Sequence, residues 1–183
     1  MERKIAVFID GANVYATAKM LKFDIDYDKL RKFFGDSLVR AYYYTATKPR
    51  TGEDPLRPLL DWLQYNGYKL VSKETKTFID ADGRTKIKGN MDMEIAVDVM
   101  EVMPYVTDVW LFSGDGDFRY LVEAVQRRGI RVTVCSSIRT TLRDGSPMSV
   151  CGDELRRSAD TFVDISELPI RLEKDGGMTS KYG

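Results

Sequence analysis

The chain has 183 residues, of which 43% are hydrophobic and 31% charged, a composition typical of one soluble globular domain. Its 28 basic and 28 acidic side chains cancel to a formal net charge of zero, so nucleic-acid binding would have to use a local patch. Histidine is absent, which excludes Ser-His-Asp and Cys-His nucleophilic sites, histidine-ligated zinc and histidine acid–base catalysis. Carboxylates, lysine, tyrosine or a bound metal must therefore carry any chemistry.

The sequence gives no sign of a membrane or a secretory protein. No apolar run approaches the ~20 residues of a membrane span, and the first residues lead straight into a predicted strand without a signal peptide. The two cysteines, Cys135 and Cys151, form no CxxC motif and suggest no disulfide framework. We therefore expect a cytoplasmic protein that does not bind membranes.

Strand and helix patterns alternate along the chain. Short apolar runs predict strands at residues 5–9, 38–45, 68–71, 109–112, 130–135 and 161–165. Helical periodicity predicts one helix that starts near residue 13, and others at 27–34, 55–65, 91–103, 117–128 and 153–158. This alternation predicts an α/β fold with a mainly parallel central sheet flanked by helices.

Two segments depart from this alternation. Residues 73–79 and 84–88 flank the sequence Asp80-Ala81-Asp82-Gly83, which is typical of a β-hairpin turn. The chain after residue 168 is polar and, from residue 173, rich in glycine. We expect a single domain over residues 1–168 and a disordered tail over residues 169–183.

Aspartates follow two of the predicted strands directly. Asp10 ends the first apolar run, and Asp115 and Asp117 follow the run that ends at Phe112. In open α/β sheets ligands bind beyond the carboxyl ends of the strands. Each of these aspartates could simply cap the next helix. A cluster of them is costly, however, because two carboxylates ~4 Å apart repel by about 4 kcal/mol at an effective dielectric near 20. A cation such as Mg²⁺ or Mn²⁺ would relieve that cost.

Asp92 lies on the apolar side of its predicted helix. At 100° per residue, Ile95 and Val99 fall within about 60° of it, whereas Asp98 falls on the opposite, polar side. An aspartate in the first helical turn is also favoured by the helix dipole. Because a solvated carboxylate would belong on the polar side, we expect Asp92 to be a fourth ligand and Asp98 to be an exposed helix residue.

Other polar residues are candidates for contacts around this cluster. Asn13 could cap the first helix, or its amide could hold Asp10, a metal-bound water or a phosphate. Ser113 could bind substrate, orient a carboxylate or merely satisfy a strand end. Lys88, just before the helix of Asp92, and Arg139, in the loop after the strand at 130–135, could reach a nucleic-acid backbone.

Four motifs, taken in order, resemble a known family. They are Phe8-Ile9-Asp10-Gly11-Ala12-Asn13, Lys88-Gly89-Asn90-Met91-Asp92, Ser113-Gly114-Asp115-Gly116-Asp117-Phe118 and Ser158-Ala159-Asp160-Thr161-Phe162-Val163-Asp164. The chain is similar, over about residues 4–168, to the NYN domain of the LabA-like group in the PIN-like nuclease superfamily. The order of the motifs makes the resemblance specific, since any one of them alone is not.

The resemblance implies a PIN-like (Rossmann-like) three-layer α/β fold and a metal-dependent ribonuclease. It implies Mg²⁺ or Mn²⁺ held by carboxylate ligands, at Asp10, Asp92, Asp115 and Asp117. Asn13 matches the asparagine of the family, and Asp98 matches a second acidic position along the helix of Asp92.

The leading hypothesis is therefore hydrolysis of RNA phosphodiester bonds, with single-stranded RNA as the expected partner. The main alternative is a catalytically silent NYN domain with a regulatory role that binds RNA or a protein. A phosphatase of the haloacid-dehalogenase type is less favoured, because that chemistry needs Asp-x-Asp after the first strand and the chain has Ala12 there. The hairpin around Phe78 could support a homodimer.

Overall fold

The computed structural model describes residues 2–47, 54–79, 85–141, 145, 147–172 and 182, with the backbone alone at residues 76–79, 85–88 and 147. The strands of the central sheet are β1 (Ile5–Asp10), β2 (Leu38–Thr47), β3 (Tyr68–Glu74), β6 (Asp108–Phe112), β7 (Arg131–Ser136) and β10 (Thr161–Asp164). The helices are α1 (Gly11–Met20), α2 (Tyr27–Phe34), α3 (Arg57–Tyr65), α4 (Asp92–Val102), α5 (Arg119–Gln126) and α6 (Asp153–Ser158).

The central sheet has six strands in the order β10-β7-β6-β1-β2-β3, and every neighbouring pair is parallel. β1 lies in the middle, and its residues are buried on both faces. Ile5, Val7 and Ile9 pack into one hydrophobic core, and Ala6 and Phe8 into the other. This alternation explains the continuous apolar run, because a strand covered on both sides needs apolar residues at every position.

Helices cover each face of the sheet. Helices α1, α2 and α3 supply buried residues to the core that contains Ile9, and α4, α5 and α6 supply them to the core that contains Phe8. The fold therefore has three layers, helix–sheet–helix, and the predicted α/β class with a parallel central sheet is confirmed.

Local signals explain where the helices start and stop. The side chain of Asp26 caps α2 by accepting hydrogen bonds from the backbone N–H groups of Asp28 and Lys29. Gly129, just beyond α5, has φ of +77°, a left-handed conformation that is costly for other residues. Most predicted bounds lie within a few residues of the observed ones. The predicted helix at 117–128 instead begins with the short 3₁₀ turn Gly116–Phe118 before α5.

The segments outside the main sheet form two small hairpins. The predicted hairpin pairs β4 (Lys76–Ile79) with β5 (Thr85–Lys88), while its turn, residues 80–84, lies outside the described residues. The predicted polar loop after β7 contains a second pair, β8 (Thr140–Thr141) and β9 (Pro147–Met148).

The chain stays packed beyond residue 168. Ile170 is fully buried, and the backbone N–H of Leu172 donates to the carbonyl of Asp24. The Tyr182 ring packs against Trp62, with ring centroids 5.0 Å apart. Residues 173–181 and 183 lie outside the described residues, so the disorder of the tail stays a prediction there.

Candidate metal centre

The candidate site lies at the carboxyl ends of the two central strands. Asp10 is the last residue of β1, and the segment Ser113 to Asp117 follows β6, its direct neighbour in the sheet. Asp92 is the first residue of α4 and approaches this edge from the covering helix layer. The parallel pairing of β1 and β6 therefore brings Asp10 near Asp115, which comes 105 residues later in the sequence.

Three of these aspartates form a compact group. Asp92, Asp115 and Asp117 each offer a carboxylate oxygen, and these oxygens all lie within 4.8 Å of one another. Asp92 and Asp115 are half-buried, and Asp117 is exposed. Three hard oxygen donors at this spacing fit a small divalent cation such as Mg²⁺ or Mn²⁺. Within the part of the chain that the structure describes, no other group of acidic or cysteine side chains meets this spacing.

Asp10 lies beside this group but outside it. Its Oδ2 accepts a hydrogen bond from the Ser113 hydroxyl at 3.0 Å, and its Oδ1 accepts from the backbone N–H of Asn13 at 3.3 Å. The second bond makes Asp10 the N-cap of α1. The capping role and the site role considered from the sequence therefore coexist in one residue.

A cleft of about 250 Å³ lies over these carboxylates. Its walls come from the ends of β1 and β2, from the segment before α4, and from the turn after β6. The lining residues are Asp10, Ala12, Asn13, Tyr44, Thr45, Ala46, Gly89, Asn90, Met91, Asp92 and Asp115. The cleft gives a ligand access to Asp10 and to two members of the acidic group at once.

The pKa of Asp10 is raised above its ordinary value of 3.8. Burial is the main cause, and the negative charges of Asp92 and Asp115 add to it. The hydrogen bonds from Asn13 and Ser113 act in the opposite direction but do not outweigh burial. Asp10 is therefore close enough to Asp92 and Asp115 for their charges to affect its pKa, and a bound cation would neutralise those charges.

The pKa of Asp92 is raised as well. Burial is the main cause. The hydrogen bond from Asn90 and the positive charge of Lys73 oppose it, while the negative charges of Asp115 and Asp117 add to it. A divalent cation bound to this donor set would neutralise the repulsion among the three carboxylates.

Asn13 and Ser113 tie the two strand ends together. The Asn13 side-chain oxygen accepts from the backbone N–H of Gly114 at 2.9 Å, so it links the start of α1 to the turn after β6. Asn13 is thus not the cap of α1, because Asp10 fills that position. Ser113 is fully buried, and its hydroxyl also accepts from the backbone N–H of Asp115 at 3.2 Å. Ser113 therefore orients the carboxylates, one of the roles considered from the sequence.

Gly114 allows a close approach beneath the cluster. A Cβ atom at this position would lie 2.2 Å from the carbonyl oxygen of Val150, and the Gly114 carbonyl accepts from the backbone N–H of Gly152 at 2.8 Å. Only glycine leaves space for this contact, because 2.2 Å is far inside any non-bonded distance. The loop before α6 is thereby held against the turn that carries Asp115.

Asn90 is a site residue that the sequence analysis did not single out. Its side-chain oxygen accepts from the backbone N–H of Asp92 at 2.7 Å, and its side-chain amide donates to Asp92 Oδ2 at 2.5 Å. An asparagine whose side chain bonds to the backbone two residues later forms an Asx turn, and such turns are common before helices. Asn90 therefore shapes the turn before α4 and orients the Asp92 carboxylate.

The remaining candidates are Lys88, Arg139 and Asp98. The side chain of Lys88 falls outside the described residues, so its predicted substrate contact stays a prediction. Arg139 forms an ion pair with Glu167, with a nitrogen–oxygen distance of 2.5 Å. Asp98 is half-buried rather than exposed, and its Oδ2 accepts a hydrogen bond from the Tyr44 hydroxyl at 2.8 Å.

Comparisons with known proteins agree on one family. Residues 4–167 match the NYN domain family. The chain is 28% identical over 177 residues to the low amplitude and bright protein LabA of Synechococcus elongatus, covering 93% of this chain and 88% of that protein. It also resembles the crystal structure of a protein of unknown function from Vibrio parahaemolyticus, with a TM-score of 0.71, 30% identity, and coverage of 93% of this chain and 97% of the other.

Proposed function

The chain belongs to the NYN domain family, and from this premise we propose that it is a nuclease that hydrolyses RNA phosphodiester bonds with Mg²⁺ or Mn²⁺. This family suggests a PIN-like nuclease fold, which agrees with the three-layer architecture. The observation that carries the proposal is the group of oxygens from Asp92, Asp115 and Asp117 within 4.8 Å of one another. We propose RNA and not DNA as the substrate because the four sequence motifs resemble those of the NYN domain, which implies a ribonuclease.

The proposed ligands are Asp92, Asp115 and Asp117, with Asp10 as a fourth. Asp10 is included because it lines the same cleft as Asp92 and Asp115, whose charges add to the rise that burial causes in its pKa. A bound Mg²⁺ or Mn²⁺ would supply an acidified water as nucleophile and would neutralise charge on the reacting phosphate. This chemistry needs no histidine, which suits a chain that contains none.

The chain itself contributes the positions of these carboxylates. Asn90 orients Asp92, the Ser113 hydroxyl links Asp10 to the backbone of Asp115, and Asn13 holds the turn at Gly114. Each contact fixes a side chain before any ligand arrives. Such preorganisation reduces the conformational entropy that binding would otherwise cost.

One observation favours a silent binding domain as the second candidate. Basic side chains described around the site and its loops are paired with acids: Lys73 with Glu94, Arg119 with Glu123, and Arg139 with Glu167. With a net charge of zero as well, non-specific attraction to a phosphate backbone is weak. Under this alternative the domain would bind RNA or a protein partner and would not cut.

A cleavage assay on labelled single-stranded RNA tests the proposal. Wild type is incubated with Mn²⁺, with Mg²⁺ and with EDTA, beside the double variant Asp92→Asn/Asp117→Asn. Asp36→Asn is the matched control. Asp36 is an exposed aspartate that precedes the amino end of β2, whereas the acidic group lies at the carboxyl ends of the strands. A DNA strand of the same sequence tests the preference for RNA.

We expect metal-dependent cutting by wild type and by the control, and loss of cutting in the double variant. Cutting that persists in the double variant, or in EDTA, would refute the carboxylate site. Fluorescence anisotropy of the same RNA addresses the alternative. Binding that is unaffected by EDTA, in a folded protein that cuts neither probe, would favour the silent domain.

No described helix is long and apolar enough to cross a lipid bilayer.

A further inference from the structure

A buried tyrosine connects the floor of the cleft to the helix that carries Asp92. Tyr44 is fully buried on β2, directly across from Asp10 in the parallel register of β1 and β2. Its hydroxyl donates to Oδ2 of Asp98 on α4 at 2.8 Å. Neither residue belongs to the group of carboxylates that could hold the metal.

The hydrogen bond matters because the phenol has no access to solvent. A buried tyrosine hydroxyl needs a partner, and a charged acceptor gives a stronger bond than a neutral one. Burial and the bond to Asp98 both raise the pKa of Tyr44 well above its ordinary value, so the hydroxyl remains the donor. The contact between β2 and α4 is therefore directional and costly to break.

Asp98 and Asp92 lie on the same helix, six residues apart. At 1.5 Å per residue the bond to Tyr44 acts about 9 Å along the axis from Asp92, so it fixes both the axial position and the rotation of α4. The buried apolar contacts of Ile95 and Val99 hold the helix against the sheet but are non-directional. The pair Lys73–Glu94 near the start of α4 is more than a third exposed on both sides and constrains it weakly.

We propose that Tyr44 is a positioning residue which, through Asp98, sets the placement of Asp92 relative to Asp10, Asp115 and Asp117, and thereby the affinity of the site for a divalent cation. The inference rests on the proposed metal site. It assigns to Asp98 the role of anchor for α4 and not that of a ligand, since its carboxylate is bonded to Tyr44.

Calorimetric titration with Mn²⁺ alone tests this role without any cleavage assay. The variants are Tyr44→Phe, which removes the hydroxyl, Asp98→Ala, which removes the acceptor, and Asp98→Asn, which keeps an oxygen that can accept. Tyr42→Phe is the matched control, because it removes a phenol hydroxyl two residues earlier on β2 without touching the Tyr44–Asp98 bond. Titrations are run well below the melting temperature of each variant, which is measured in EDTA.

We expect Tyr44→Phe and Asp98→Ala each to weaken Mn²⁺ binding by about tenfold, the low end for residues that support metal ligands. The double variant should lose no more than either single variant. Asp98→Asn, which keeps a neutral acceptor, should weaken binding less than Asp98→Ala, and Tyr42→Phe should bind like wild type. If Tyr44→Phe does not fold, Asp98→Ala carries the same test from a half-buried position.

Two results would overturn the inference, and they are distinguishable. Variants that melt earlier but bind Mn²⁺ like wild type would show a merely structural bond and would leave the proposed function intact. A wild-type protein that binds no Mn²⁺ would remove the metal site itself, and both proposals with it.

Discussion

Two aspartates at equivalent ends of parallel strands have opposite surroundings. Asp164 ends β10 as Asp10 ends β1. The Asp164 carboxylate accepts four hydrogen bonds, from the hydroxyl and backbone N–H of Ser166, the hydroxyl of Ser137 and the backbone N–H of Ile138. Burial alone would raise its pKa, yet these bonds lower it. Asp10 accepts hydrogen bonds from Asn13 and Ser113, but burial raises its pKa, and the charges of Asp92 and Asp115 add to that rise.

The difference separates a structural carboxylate from a proposed metal ligand. The Asp164 carboxylate is satisfied by hydrogen bonds from its own fold, so it has little to offer a ligand. The cleft carboxylates accept fewer hydrogen bonds and repel one another, which would leave electrostatic free energy for a cation to recover. Under the proposed function, the same position on a strand serves stability in one case and binding in the other because of the donors that the neighbouring loop supplies.

The largest expected effect is on RNA cleavage, and it should distinguish the cleft carboxylates from Asp164. Asp92→Asn should lower metal-dependent RNA cleavage by at least about 100-fold, as for loss of one group that stabilises transition-state charge. Asp164→Asn should change cleavage per folded molecule by less than about threefold, because it touches no proposed ligand. Initial rates at saturating Mn²⁺ measure both. Equal losses in the two variants would remove the distinction.

The second effect is on the free energy of unfolding, which should fall more for loss of Asp164 than for loss of a cleft carboxylate. Asp164→Ala should lower the free energy of unfolding by about 3 kcal/mol, because it leaves several part-buried donors without an acceptor. Urea denaturation followed by circular dichroism measures this. Asp117→Ala, at an exposed position, is the matched control and should change the free energy of unfolding in EDTA by less than about 0.5 kcal/mol. A larger loss for Asp117→Ala would contradict the division.

A smaller effect of opposite sign is expected at Asp10. Asp10→Asn should raise the free energy of unfolding of the metal-free protein at pH 7 by less than about 1 kcal/mol. It removes a part-buried charge near two other carboxylates and keeps one oxygen for the Asn13 N–H, but it loses the hydrogen bond from Ser113 to the other oxygen. Saturating Mn²⁺ should reverse this order, since binding stabilises wild type more than the variant. Destabilisation of the metal-free variant would argue against unrelieved repulsion.

The smallest effect is the dependence of these differences on pH. The pKa of Asp10 lies above 3.8 in the folded protein, so its penalty develops as pH rises through and above that value. The pKa of Asp164 lies below 3.8, so its stabilisation is full above that value and is lost as pH falls through the lower folded pKa. Both Asp10→Asn and Asp164→Asn should therefore approach wild type toward acid pH, from opposite directions. Melting temperatures in EDTA between pH 3 and pH 7 measure this convergence.

The sequence predicted the parts of the site that depend on local pattern. Apolar runs that end in aspartate located Asp10 and the turn around Asp115, and helical geometry turned Asp92 inward. The compact group of Asp92, Asp115 and Asp117 follows from these patterns and the parallel topology. Most of the helices and all six central strands were predictable for the same reason, since burial on both faces leaves a continuous apolar run.

Contacts between distant segments were not predictable. The helical wheel placed Asp98 on the polar side of α4, but a wheel cannot show that a long tyrosine side chain on β2 reaches it. The ion pair of Arg139 with Glu167, 28 residues later, could not be predicted either, and the expected contact of Arg139 with a nucleic-acid backbone stays a prediction. Asp164 was noticed only as the end of a motif, although its donors Ser137 and Ile138 decide its role.

The strand order also determines when the central sheet can be completed during synthesis of the chain. β1 is made first but occupies the centre of the sheet, with β2 on one side and β6 on the other. A nascent chain that has paired β1, β2 and β3 still exposes one edge of β1, because that edge waits for the residues from Asp108 onward. An unpaired strand edge of this kind makes an incompletely folded chain prone to aggregation, which chaperones counteract. The acidic group cannot form until Asp117 has left the ribosome, so an incomplete chain also lacks the proposed metal site.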